Sequence, residues 1–158
     1  MPRNRVRFAA AIASAVGALS IGLAAAPAEA RPLPPNFTVT TDQPSLDDLD
    51  AIVEFLVETP ASDEAKAANV EGGMDAVIVP KTVYALGLFR APQGWNEMTG
   101  PLVQDGNRVT ATLNSFSAGR PEIRMTIEFK KLAGNWKLSA DSFCAGVKTV
   151  GLDIYCNA

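Results

Sequence analysis

The chain has 158 residues, with 14 Lys and Arg against 17 Asp and Glu for a net charge of −3 at pH 7, 47% hydrophobic residues and no histidine. The missing imidazole excludes Ser-His-Asp and Cys-His catalysis and the usual His-ligated zinc sites, so an enzyme built on this sequence would work with carboxylates, Lys, Tyr or Ser. The acidic balance argues against nucleic acid as a partner, because the basic pair Lys130-Lys131 is too small to form a phosphate-binding face.

The first thirty residues read as a secretion address. Arg3, Arg5 and Arg7 precede an uncharged run from Ala9 to Ala26, and Ala28-Glu29-Ala30 forms an A-x-A cleavage site, so the mature protein is expected to begin at Arg31. An uncleaved N-terminal anchor is the alternative. Against it, the run is Ala-rich and ends in a peptidase-type site rather than a charged stop-transfer flank. Cleavage would leave 128 residues carrying 11 basic and 16 acidic side chains, a net charge of −5 and one domain's worth of chain. No stable membrane anchoring is expected after it.

Residues 31–44 hold prolines at 32, 34, 35 and 44 and predict an extended, largely unpacked leader. Ser45 then opens a helix. Its hydroxyl and Asp48 form an S-x-x-D capping box, and Leu46, Leu49, Ile52, Val53 and Leu56 make one apolar face before Thr59-Pro60 ends the run. A second cap at Ser62 starts a shorter helix running towards Asn69, and Val70-Glu71-Gly72-Gly73 reads as a short extended piece entering a turn. Pro80 suits the first turn of a third helix over about 81–89, with Val83 and Leu86 inward and Gly87 weakening it.

The remainder reads as antiparallel sheet. Asp105-Gly106 marks a hairpin between Leu102-Val103 and the inward set Val109, Ala111 and Leu113. Ile123, Met125, Ile127 and Phe129 alternate with Arg124, Thr126, Glu128 and Lys130, and Ala133-Gly134-Asn135 turns the chain into Trp136, Leu138 and Ala140. Helices followed by a meander predict an α+β fold, the helices covering one face of a curved sheet. Residues 45–158 form one domain on this reading.

Cys144 and Cys156 fall in the exported part, where a disulfide is favoured over free thiols or a metal site. A continuous helix between them would hold the Cα atoms about 18 Å apart, well beyond disulfide reach. The chain is therefore expected to double back, with Gly146 and Gly151 as permissive points and the reversal near Gly151.

With these elements placed, the sequence resembles the mycobacterial secreted low-molecular-weight antigen family. The resemblance is carried by the Leu46–Leu56 helix, by Ala67-Ala68-Asn69-Val70-Glu71-Gly72-Gly73, and by Ile127-Glu128-Phe129 followed by Gly134-Asn135-Trp136-Lys137-Leu138-Ser139. It implies a small exported domain similar to the nuclear-transport-factor-two-like (cystatin-like) cone, recognised by host immunity and without an assigned activity. The cysteine tail and Pro80 depart from the family pattern.

On such a cone, Glu71 beside Asp75 would be a pocket carboxylate, the plainer reading being a solvated or helix-capping side chain next to a Gly72-Gly73 turn. Tyr84 with Asp141 would make an acid–base pair like those of isomerases and hydrolases on this scaffold. Trp95, Met98, Met125, Phe129, Trp136 and Phe143 would line an apolar cavity, core packing being the competing use of most of them. The candidate pocket is thus Glu71, Tyr84, Trp95, Met125, Phe129 and Trp136. The expected role is a non-catalytic secreted domain that binds a small apolar or cell-envelope ligand or presents an interaction surface. A carboxylate-dependent isomerase or hydrolase is the alternative. No cofactor and no metal are implied.

Overall fold

The structure, a computed structural model, describes residues 32–154 and 156. The secretion address and its cleavage residues Ala28, Ala30 and Arg31 lie outside the described residues, as does Tyr155 of the tail.

Helix α1 spans Leu46–Val57 and starts where its capping box predicts, the Asp48 amide donating to Ser45 Oγ at 3.1 Å and the Ser45 amide to Asp48 Oδ2 at 2.8 Å. Its apolar face is buried apart from Leu46, which is partly so, and Val57 extends that face, while Phe55 is buried on a second side. That second side is covered by the leader. Phe37 packs on Phe55 with ring centroids 5.6 Å apart, and Val39 is buried, so the leader is not the unpacked segment its prolines predict. Proline content argued for extension, and extension is compatible with packing once an unpaired backbone lies alongside.

That backbone belongs to β4. The sheet has the order β1-β2-β3-β4, with β1 at Gly94–Asp105, β2 at Arg108–Ser117, β3 at Ile123–Leu132 and β4 at Asn135–Leu138, all neighbours antiparallel. The outer edge of β4 is closed by the Trp136 amide donating to Val39 O at 2.8 Å, the Leu138 amide to Asn69 O at 2.9 Å and the Glu71 amide to Leu138 O at 2.9 Å. Leader and Val70 junction therefore shield an edge that would otherwise offer free pairing groups. Of the three hairpin turns, the two that the sequence predicts fall at their glycines, with Gly106 at φ 57° and Ala133-Gly134 at 50° and 87°.

The alternation assigned to β2 and β3 holds. Val109, Ala111, Ile123, Ile127 and Phe129 are buried, Leu113 and Met125 partly so, and the cross-strand pairs Ala111 with Ile127 and Val109 with Phe129 share the inner face. Helix α1 lies against β1 and β4, and α4 (Ala140–Thr149) against β3. This is an α+β architecture with helices on one face of an antiparallel sheet, a layering compatible with the expected cone.

Five sequence expectations need correction. After the short helix α2 at Asp63–Ala67, the third helix, α3, runs Ile78–Leu86 and starts earlier than Lys81, because Pro80 occupies its third position, where no intrahelical N–H is lost. Leu86 is 47% exposed rather than inward, and Gly87 at φ 65° terminates the helix instead of merely weakening it. Ala140 does not continue the β4 alternation. Ser139 caps α4, accepting from the Ser142 amide at 3.2 Å, so Ala140 is its first residue. Gly146 lies inside that helix and makes no reversal.

The reversal comes at Gly151, at φ 71°, and the Leu152 amide folds back onto Val147 O at 3.0 Å. Cys144 and Cys156 are bridged, with Cα atoms 5.7 Å apart.

Candidate functional site

Between sheet and helices lies a cavity of about 40 Å³ bounded by Val53, Leu56, Val83, Leu113, Ile127 and Phe143 among others. Its volume suits about one water and is far below the roughly 300 Å³ at which small-molecule pockets begin. Ser142 of α4 lines it, as do Ser115 and Asn96 of the sheet, which head a polar seam. Ser115 Oγ donates to Asn96 Oδ1 at 2.6 Å, and Asn96 Nδ2 donates to Glu58 Oε1 at 2.7 Å and to Phe89 O at 3.2 Å. Burial pushes the Glu58 carboxyl above its ordinary value, the Asn96 hydrogen bond opposes this, and the charges of Glu54 and Asp50 reinforce it.

Glu58 ends a row of carboxylates along α1. Asp50 accepts from the Met98 amide at 2.8 Å, and burial raises both its carboxyl and that of Glu54 above their ordinary values. Burial is the principal cause for all three.

The predicted pocket residues do not gather around one cavity. Phe129 and Trp136 are fully buried core, and Trp136 Nε1 donates to Thr41 O at 2.8 Å. Met98 is buried and Met125 partly buried, packed in the same core. Trp95 points the other way. It lies 45% exposed on the opposite face of the sheet, stacked with Phe116. Of the apolar candidates, Phe143 borders the interior cavity and also a second one of about 50 Å³ beside the disulfide, where Asp75, Val70, Ile78 and Cys156 take part.

Glu71 takes the plainer of its two readings. Lys130 Nζ lies 2.9 Å from both of its carboxylate oxygens, and the Ala140 amide donates to Oε2 at 3.1 Å, so Glu71 sits at the N-terminus of α4. Partial burial pushes its pKa up, but the hydrogen bonds of Lys130 and Ala140 and the charges of Lys130 and Arg108 outweigh that and hold it below its ordinary value of 4.5. Tyr84 lies elsewhere, its ring between Lys66 Nζ at 4.8 Å and Arg90 Cζ at 4.5 Å from the centroid. Asp75 and Asp141 are exposed, and no hydrogen bond joins Tyr84 to any carboxylate among the described residues.

Lys66 is the buried charge that sequence reading missed. It is 2% exposed, and its ammonium donates to Phe55 O at 3.0 Å, Leu56 O at 2.6 Å and Thr59 O at 2.9 Å, completing the C-terminus of α1. Burial lowers its pKa from 10.5 to about 8, the nearby Asp63 acting the other way. A lysine within Ala65-Lys66-Ala67 carries no local signal for this role, because its acceptors lie seven to eleven residues back, in the last turn of α1 and the loop after it.

Among the described residues no cluster of three or more His, Cys, Asp or Glu could hold a metal, and no helix is long and apolar enough to cross a membrane. The site is thus a small, mainly apolar cavity with Asn96, Ser115 and Ser142 on its lining, in a small disulfide-linked α+β domain. Residues 42–154 match the family described as low molecular weight antigen MTB12, C-terminal domain, and the chain belongs to that family. No curated protein sequence matches the chain.

Proposed function

We propose that this protein is an exported, non-catalytic interaction domain that works through its surface rather than through an enclosed pocket. The supporting observation is the dispersal of the titratable groups that the sequence offers as catalytic candidates. Glu71 is held by Lys130 at α4, Tyr84 lies against two cations, and Asp75 and Asp141 face solvent, so none forms the facing pair that acid–base chemistry requires. Export is supported by the A-x-A address and by the bridged cysteines of an antigen-family member. The culture fluid of the native host should yield protein beginning at Arg31, and native mass spectrometry should give its bare mass. A stoichiometric organic ligand would overturn the surface reading, and an intact residue 1–30 segment would overturn export.

A histidine-free isomerase or hydrolase is the second reading, favoured by the partly buried Glu58 with its raised pKa beside the cavity. It requires turnover that Glu58→Gln abolishes while the fold is retained.

A further inference from the structure

The outer face of the sheet turns away from the helices and carries two neighbouring cross-strand rows of different chemistry. The first row is Trp95 opposite Phe116, near-parallel at 19° with ring centroids 6.4 Å apart. These residues are 45% and 41% exposed. The second row runs across three strands as Glu97, Asn114 and Arg124. It lies two residues along the strands, about 7 Å away. Glu97 and Arg124 are exposed and join no ion pair among the described residues. Asn114 donates its amide to Thr99 Oγ1 at 2.8 Å, leaving its carbonyl oxygen as an acceptor.

We propose that these two rows bind a glycan chain of equatorial pyranoses, such as glucose or N-acetylglucosamine units. The assignment rests on the interaction-domain reading and names its partner. An equatorial pyranose presents a flat C–H face that stacks on an aromatic ring, while its rim hydroxyls seek planar donors and acceptors. Carboxylate, amide carbonyl and guanidinium in one row supply both kinds within one sugar's reach of the rings. The charges of Glu97 and Arg124 balance, which suits an uncharged polymer and disfavours a phosphate or a basic peptide.

Area separates a glycan from a protein partner. The exposed parts of the two rings amount to about 200 Å², whereas a stable protein interface buries about 800 Å² on each side. On one side the rings give way at once to the polar row of Glu97, Asn114 and Arg124.

The test is titration of cellohexaose and of chitohexaose into the mature protein, followed by tryptophan emission and calorimetry. Trp136 is fully buried, so an emission change on binding reports Trp95. At least one oligosaccharide should produce a saturable blue shift at millimolar concentration or below. Trp95→Ala should weaken binding roughly tenfold or more, and Arg124→Ala several-fold, with unfolding midpoints unchanged because both side chains are exposed. Should Trp95→Ala lose its fold, Arg124→Ala alone decides between a read polar row and none. Absence of saturable binding by either sugar overturns the proposal, as does undiminished binding by these variants. So does a wild-type dimer in sedimentation that Trp95→Ala dissolves, which would make the rings a self-association face. These outcomes leave the parent reading standing, since it falls to an interior ligand or to turnover.

Discussion

Lys66 and Gly94 show how single residues carry constraints that reach across the fold. Lys66 closes the C-terminus of α1 from the next helix, so truncating it strips three backbone carbonyls of their donor, two of them in buried hydrogen bonds. Lys66→Ala should cost about 2–4 kcal/mol in chemical denaturation. Lys66→Met, which keeps the stem, should lose nearly as much if the ammonium rather than the packing is responsible. Gly94 opens β1 against the loop before it, and a Cβ there would collide with Leu88 O and Phe116 O. Gly94→Ala should therefore destabilise by about 1–3 kcal/mol, through crowding of backbone rather than any left-handed conformation. An unchanged denaturation midpoint would show that the loop moves aside freely.

Strands β2 and β3 test the assigned register. Ile127 is 2% exposed on the inner face, and Glu128 beside it faces out, 3.2 Å from Arg108 and 3.7 Å from Lys130. Ile127→Asp should cost about 4 kcal/mol or more by burying an unpaired charge. Glu128→Lys should cost about 1 kcal/mol or less, a small loss rather than none, because it replaces two partly exposed ion pairs with repulsion. Equal losses in urea unfolding would refute the facing. The α1, β2 and β3 patterns were legible because each keeps its apolar residues on one side at the right period. The first half of β1 was not, for the opposite reason. Trp95 faces solvent and Asn96 faces the core, so its binary pattern is inverted and no alternation announces a strand.

The whole molecule is held by the sheet, the helices on its inner face and one covalent link at the tail. Reduction of Cys144–Cys156 should lower the unfolding free energy by up to about 3 kcal/mol without abolishing the fold, since α1 and the meander share a core that does not need the tail. A mass spectrum of two free thiols in the secreted protein would remove the bridge from this account. Stability should also depend on pH in two directions. Asp50, Glu54 and Glu58 have folded pKa values raised above 3.8 and 4.5, so as pH falls from neutral the folded state takes up protons first and gains stability. Glu71 is lowered below 4.5, so its contribution is present above that value and lost as pH falls through its folded value. Thermal midpoints should therefore rise on mild acidification and fall in stronger acid, and the triple variant Asp50→Asn, Glu54→Gln, Glu58→Gln should flatten the rise. A midpoint that only declines from neutrality would contradict the raised row.

Local chemistry carried the sequence reading a long way: the Ser45 capping box, the alternation of β2 and β3, the glycine turns and the Cys144–Cys156 spacing each depend on neighbours within a few residues or on chain geometry alone. What required the tertiary structure were partners distant in sequence. The leader finds Phe55 and the edge of β4, Lys66 finds the end of α1, and Glu71 finds Lys130 and α4 rather than a pocket. Trp95 and Trp136 are both tryptophans on strands, yet one is solvent-exposed and the other is fully buried. Side-chain type sets only what burial would be worth. Which face of the sheet the helices cover decides which of the two indoles is buried.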